Sequence, residues 1–170
     1  DAGVARVGFV LGGGGPDSAL RRAVGPSLGA AGVRHPRADP TLELPTSAGA
    51  TVATNHDWQT TQLGGVITAD EVATIRTSGL APTSAKESAL IASLAPGAYT
   101  AVVRGLNNTS GVGLTEFYDL DPASSSQLAN ISTLGNVQTP VQVWIGGLIV
   151  GAAESCEVPV RGPGPAPARG

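Results

Sequence analysis

The sequence predicts an all-β protein: a β-sandwich with jelly-roll-like connections, about ten short strands, at most one short helix and an extended C-terminal tail. Three observations carry this. The apolar 41% is mostly Ala, Val, Leu and Ile, and aromatics make up only 4%, so the core is built from small aliphatic side chains. Gly numbers 24 and Pro 13, so the chain is punctuated throughout by turns. The apolar runs are short and bounded by turn residues, whereas a helical bundle requires long stretches of 3.6-residue period.

In chain order, residues 4–11 (VARVGFVL) form a β-rich run stopped by Gly12-Gly13-Gly14-Gly15-Pro16. Residues 19–24 (ALRRAV) are a second strand, ended by Gly25-Pro26. Residues 29–40 read as loop, with Pro36 and Pro40 as breakers. Residues 41–44 alternate polar and apolar as a half-buried strand does, and residues 51–54 form another short strand. The least strand-like region is 57–84, where Thr68-Ala69-Asp70-Glu71 caps a short helix running to Thr77, with Ser78-Gly79 as its stop. Residues 87–94 fit strand or helix, and the short apolar spacing followed by Pro96-Gly97 favours strand.

The clearest local signal is a hairpin. Residues 98–106 (AYTAVVRGL) place Tyr99, Ala101 and Val103 on one face, and 107–111 (NNTSG) supply residues that tolerate positive φ. Residues 112–120 return with Val112, Leu114, Glu116 and Tyr118 on one face and Thr115 and Phe117 on the other. Strands at 128–133, 141–150 and 157–160 complete the set.

Composition narrows the function classes. Ten Lys+Arg face 13 Asp+Glu, and Lys86 is the sole lysine. With no basic stripe to neutralise phosphates, nucleic acid is not an expected partner. No apolar run approaches the roughly 18 residues of a membrane span. The chain has no Met and starts at Asp1, which suggests removal of an initiator. Its one cysteine, Cys156, excludes an internal disulfide and a site built on Cys pairs. Cys156 is either a small apolar filler of a strand or the source of an intermolecular disulfide.

No catalytic residues are expected. The only histidines, His35 and His56, fall in polar, loop-like contexts, and adjacent His56-Asp57 does not orient a base on a carboxylate. There is no Gly-x-Ser-x-Gly elbow, and no Gly-Lys-Ser/Thr follows the Gly12–15 run. No cofactor is expected either. Asp57, Asp119 and Asp121 are the residues that offer hard oxygen ligands to calcium, with solvated turn aspartates as the alternative reading. Asn107, Asn108 and Asn130 begin N-glycosylation patterns, with turn chemistry as the alternative for the first two, so glycans are candidate attachments. Trp58 and Trp144 serve as core anchors or interface plugs, or stack on sugars if exposed.

Several segments occur in order: 22–28 (RAVGPSL), 38–44 (ADPTLEL), 53–58 (ATNHDW), 79–83 (GLAPT), 86–89 (KESA), 94–100 (LAPGAYT) and 128–133 (LANIST). Together, and across nearly the whole chain, they resemble a module of large secreted or surface proteins of environmental bacteria, often repeated in tandem. Residues 39–58 with 96–99 are also similar to the bacterial pre-peptidase C-terminal type of β-sandwich. The resemblance implies an extracellular or cell-surface location, β-sandwich architecture and a structural or accessory role, with no catalytic residues. Where that sandwich family tends to read Asn-Asp-Asp-Trp, this chain has Asn55-His56-Asp57-Trp58, one carboxylate fewer for calcium.

The head of the chain also reappears at its tail. Gly8-Phe9-Val10-Leu11-Gly12 matches Gly147-Leu148-Ile149-Val150-Gly151, and Arg22-Ala23-Val24-Gly25-Pro26 matches Arg161-Gly162-Pro163-Gly164-Pro165, both at an offset of 139 positions. Chance in a Gly/Pro-rich chain is the competing explanation. A repeat gives a module over 1–140 and, over 141–170, strands and a Pro/Gly-rich tail that open the next. Surplus strands at one end leave sheet edges unpaired, and an unpaired edge is a template for another chain. The tail then either folds back on its own head or joins a second copy by strand addition. The expectation is a homopolymer: a structural subunit of a bacterial filament or surface array. Contacts are expected at Val7, Phe9, Leu11, Arg22, Trp144, Leu148, Val150, Val158, Val160 and Arg161. The alternative is a carbohydrate-binding or adhesive accessory module, marked by an exposed shelf of Trp58, Trp144 or Tyr99. A hydrolase would require a buried, convergent Ser/His/Asp cluster.

Overall fold

A computed structural model describes residues 4–121, 123–134 and 159–161. The chain divides into a compact unit of residues 1–135 and a second of 136–170. The first unit is all-β. Its described residues form β1 (Ala5–Gly13), β2 (Asp17–Val24), β3 (Pro40–Pro45), β4 (Thr51–Asn55), α1 (Val72–Thr77), β5 (Ser88–Leu94), β6 (Gly97–Gly105), β7 (Leu114–Asp119) and β8 (Ser126–Leu134). Short 3-10 turns span Pro26–Ala31 and Leu106–Asn108. In the second unit Pro159, Val160 and Arg161 are exposed and lie in no strand. The expected strand at 141–150, and the first two residues of that at 157–160, lie outside the described residues.

Two antiparallel sheets result, a larger one in the order β4-β3-β6-β1-β8 and a smaller one in the order β5-β2-β7. Pairing is nested: β1 with β8, β2 with β7 and β3 with β6. Alternation fixes which face each strand buries. In β3 it buries Pro40, Leu42 and Leu44 and leaves Thr41 and Glu43 half-buried. Phe9, Leu11, Leu42, Leu44 and Val103 of the larger sheet join Ala23, Leu90, Ala92 and Leu94 of the smaller in one buried cluster. Fully burying a Leu or Phe contributes roughly 1.5–3 kcal/mol, so this shared cluster is the main force between the sheets.

A second cluster (Leu20, Trp58, Ile75 and Ala89, with Tyr118 and Leu120 against it) covers the other face of the smaller sheet. Strand β2 is therefore buried on both faces, which explains why 17–24 shows no alternation. Helix α1 begins directly after the expected 68–71 cap, with Glu71 at its N-cap, and ends at Thr77 as expected. The Asp70 carboxylate accepts from the Val72 N–H at 3.1 Å, and Gly79 ends the helix at φ 73°.

The predicted hairpin is corrected. β6 pairs with β1 and β3 in the larger sheet, whereas β7 pairs with β2 in the smaller, so 106–113 crosses between sheets. Asn107 and Asn108 do take positive φ, 55° and 59°. The loop's hydrogen bonds, however, go to the 35–37 segment. The Arg37 guanidinium donates to Thr109 O at 2.8 Å and Gly111 O at 3.1 Å, and the Val112 N–H donates to His35 O at 2.8 Å.

Candidate functional site: the uncovered end of the two sheets

Every sheet edge presents open N–H and C=O groups, and natural proteins cover or charge them. Here one end is covered. At the β4 edge the Val66 N–H donates to Val52 O at 2.8 Å. At the β5 edge the Glu71 carboxylate accepts from the Ile91 N–H at 2.9 Å, and Ile75 of α1 packs with Ala89. Burial raises the Glu71 carboxyl to about 7 against the opposing pull of that hydrogen bond, and Asp70 adds to the rise.

The other end, β7 and β8, is different. Among the described residues no strand pairs with the outer edge of either. β8 runs for nine residues (SQLANISTL) without a charge or a proline. Leu128 and Ile131 on β8 are 41% and 49% exposed, and Leu114 on β7 is 43% exposed. An exposed, uncharged, partly apolar edge strand of this length is the form that invites pairing.

The residues expected to carry assembly contacts are placed unevenly. β1 is not a border strand, since it lies between β6 and β8. Phe9 and Leu11 are buried in the protein's own core, and Val7 packs against it half-buried, so these three are corrected from interface to core. Arg22 is also engaged within the molecule: it pairs with the Glu116 carboxylate and donates to Leu80 O at 2.7 Å and to the Tyr118 hydroxyl at 3.0 Å. Val160 and Arg161 are exposed. Trp144, Leu148, Val150 and Val158 lie outside the described residues. Leu114, Leu128 and Ile131 were not among the expected contacts. The absence of charge and proline in 126–134 was the available signal.

Two of the three calcium candidates accept turn bonds, and the third, Asp121, is exposed. Asp57 Oδ1 accepts from the Gln59 N–H at 2.9 Å, and Asp119 Oδ1 accepts from the Asp121 N–H at 2.8 Å. Among the described residues no three His, Cys, Asp or Glu side chains gather so as to hold a metal ion. Asn107, Asn108 and Asn130 are all exposed. Trp58 is 6% exposed, donates through Nε1 to Ser84 O at 3.0 Å and lies under the Arg76 guanidinium, 5.6 Å from the ring centroid. Tyr99 is half-buried and stacks on Phe9. Neither ring forms an exposed shelf. His35 and His56 are exposed loop residues.

Glu87 and Arg21 are among the buried polar groups that nothing in the sequence singled out. Glu87, fully buried, accepts at Oε1 from the Gly25 N–H (3.0 Å), the Ser27 N–H (2.9 Å) and the Ser27 hydroxyl (2.6 Å), and at Oε2 from the Ser84 N–H (3.3 Å). Arg21, 1% exposed, donates to Ala19 O and Ala92 O and lies over the Phe9 ring. Desolvation lowers its guanidinium to about 10, with nearby Asp17 opposing the shift. Both anchor the scaffold. An open depression of about 470 Å³, lined by residues that include Gln59, Thr61, Asp70 and Arg76, lies by α1. Within it the Thr61 hydroxyl donates to the Asp70 carboxylate at 2.6 Å, which also accepts from the Val72 N–H.

The class defined by fold and site is an all-β protein of two antiparallel sheets, with one end covered and the other uncovered among the described residues. Comparison with protein-family models, with curated proteins and with solved structures finds no match to this chain.

Proposed function

We propose that this protein is a non-enzymatic structural subunit of an extracellular bacterial filament or surface array, a β-sandwich module that assembles head-to-tail with copies of itself by β-strand addition. The observation that supports this best is the uncharged, proline-free β8 edge with Leu128 and Ile131 exposed. Soluble proteins that remain monomeric blunt such edges with charge, proline or a covering segment, as this chain does at β4 and β5. The head–tail repeat supplies a second apolar segment, 147–151, with the sequence character of a strand this fold already accommodates. The alternative of a carbohydrate-binding or adhesive accessory module calls for an exposed aromatic platform; Trp58 is buried and Tyr99 half-buried, and Trp144 lies outside the described residues.

The test is sedimentation velocity of the full chain over a wide concentration range, with electron microscopy of the same samples. Concentration-dependent oligomers growing into filaments are expected. A single monomeric species at every concentration would refute the assembly reading.

A further inference from the structure

The uncovered end also has a direction. In the antiparallel β1–β8 pair, Phe9 faces Ile131 and Leu11 faces Leu128. Directly opposed residues share a face of the sheet. Phe9 and Leu11 are 1% and 3% exposed in the core, so Ile131 and Leu128 point to the same, inward side, yet they remain 49% and 41% exposed. The reason is strand count: five strands in the larger sheet face three in the smaller. The Phe9–Phe117 ring contact sets β7 against β1, which leaves β8 overhanging with nothing described across from it. A small cavity of about 30 Å³, lined by Phe9, Leu11, Phe117 and Leu128 with Asp17 and Arg21, lies between β7 and this overhang. Among the described residues this leaves a groove with the unpaired edge of β7 along one side and the inward face of β8 as its floor.

We infer that this groove receives residues 141–150 of a second copy as an added strand beside β7; this rests on the assembly reading above and identifies its acceptor and donor. The donor VQVWIGGLIV is ten residues without a charge or a proline, against six in β7 and nine in β8. It does not displace β1 from its slot. At the offset of the repeat, Leu148 stands for Phe9 and Gly146 for Val7, so the donor lacks the ring that contacts Tyr99, Phe117 and Arg21. Pairing of 141–150 with its own β8 edge extends the larger sheet by another uncharged strand, lengthens the overhang and leaves Leu128 and Ile131 uncovered. A strand from a second copy, set in the layer of β7, covers them.

Complementation between two full-length variants tests this. Leu128→Lys with Ile131→Lys blocks the acceptor, and Leu148→Asp with Val150→Asp blocks the donor. Each variant alone is expected to be a folded monomer by circular dichroism and light scattering, and a 1:1 mixture is expected to give a heterodimer that grows no further. Ile131→Thr, a milder change that keeps β-branching, is expected to raise the concentration needed for assembly at least tenfold without lowering the melting temperature. An acceptor variant that assembles like wild type overturns the groove, and a donor variant that does so overturns the occupant; in both cases assembly itself stands. A mixture that stays monomeric while both variants are folded also overturns the inference. A wild-type chain that is monomeric throughout removes the assembly reading and the inference together.

Discussion

The rings of Phe9 on β1 and Phe117 on β7 meet with centroids 5.0 Å apart and planes tilted by 57°, joining the larger sheet to the smaller. Phe9 also stacks on Tyr99 at 5.6 Å and lies under the Arg21 guanidinium at 5.0 Å. Phe9→Ala is expected to cost about 3–5 kcal/mol of unfolding free energy in urea titration, the range for a buried aromatic truncated in a core. Phe9→Leu, which installs the residue type found at 148, is expected to cost about 1–2 kcal/mol through lost ring contacts. A Phe9→Leu loss below measurement error would mean that the ring cluster does not distinguish head from tail.

Glu87 ties the chain after β2 to the chain before β5. Glu87→Ala strands the buried N–H of Gly25 and the half-buried N–H of Ser27 and is expected to destabilise by about 3–5 kcal/mol. Ser27→Ala removes one of the four donors and is expected to cost about 1 kcal/mol. Similar losses for the two variants would contradict the assigned network.

Glu71 makes stability depend on pH. Its carboxyl rises from 4.5 to about 7 on folding, so the folded state holds more protons than the unfolded state between those values. Stability attributable to this group is therefore full below about 4.5 and falls as pH rises towards 7. Half-exposure screens the effect, and a loss of about 1–2 kcal/mol is expected across the window. Glu71→Gln, which keeps an acceptor for the Ile91 N–H, is expected to flatten this part of the profile. Thermal melts at pH 4.5, 5.5, 6.5 and 7.5 on both proteins measure it, and parallel profiles would rule out Glu71 as the source.

The glycine run after β1 is a close-approach site. At Gly13 the φ is +131°, and a Cβ would stand 2.3 Å from Ser125 O and 2.4 Å from Ser126 Cα, both backbone atoms. Ser126 is pinned there by the Gly15 N–H donating to its hydroxyl at 3.2 Å and by its own bond to Gly15 O. Gly13→Ala is expected to cost about 2–4 kcal/mol and to loosen β8, read as faster amide exchange over 126–134. Gly32→Ala is the control: its φ is also positive, +82°, but its Cβ meets nothing within 4 Å, and about 1 kcal/mol is expected. Equal costs would show that only the backbone angle matters at Gly13.

Strand positions were legible because alternation and turn residues are local. Leu42 and Leu44 in β3 are buried as their period demands, and Ala101 and Val103 in β6 are buried together with the intervening Val102. Helix α1 was legible from Asp70 and Gly79. The supposed hairpin was not, because Asn107-Asn108 has the backbone preferences of a tight turn whichever sheet the next strand joins. Arg37, far away in sequence, settles that by taking the loop's carbonyl groups. Likewise nothing local marks Glu87 or Arg21 as buried, since their partners are 60 and 71 residues away for Ser27 and Ala92.

The sequence by itself determined an all-β chain, its strand segments, its turn points and the uncharged character of 126–134, because these follow from side-chain period and backbone preference within a few residues. Only the tertiary structure decided that β1 lies between β6 and β8, that β8 is an edge among the described residues, that β6 and β7 belong to different sheets, and that one sheet counts five described strands and the other three. Those outcomes depend on which distant backbone groups satisfy one another and on which apolar faces share a core, and neither quantity is written in any single segment.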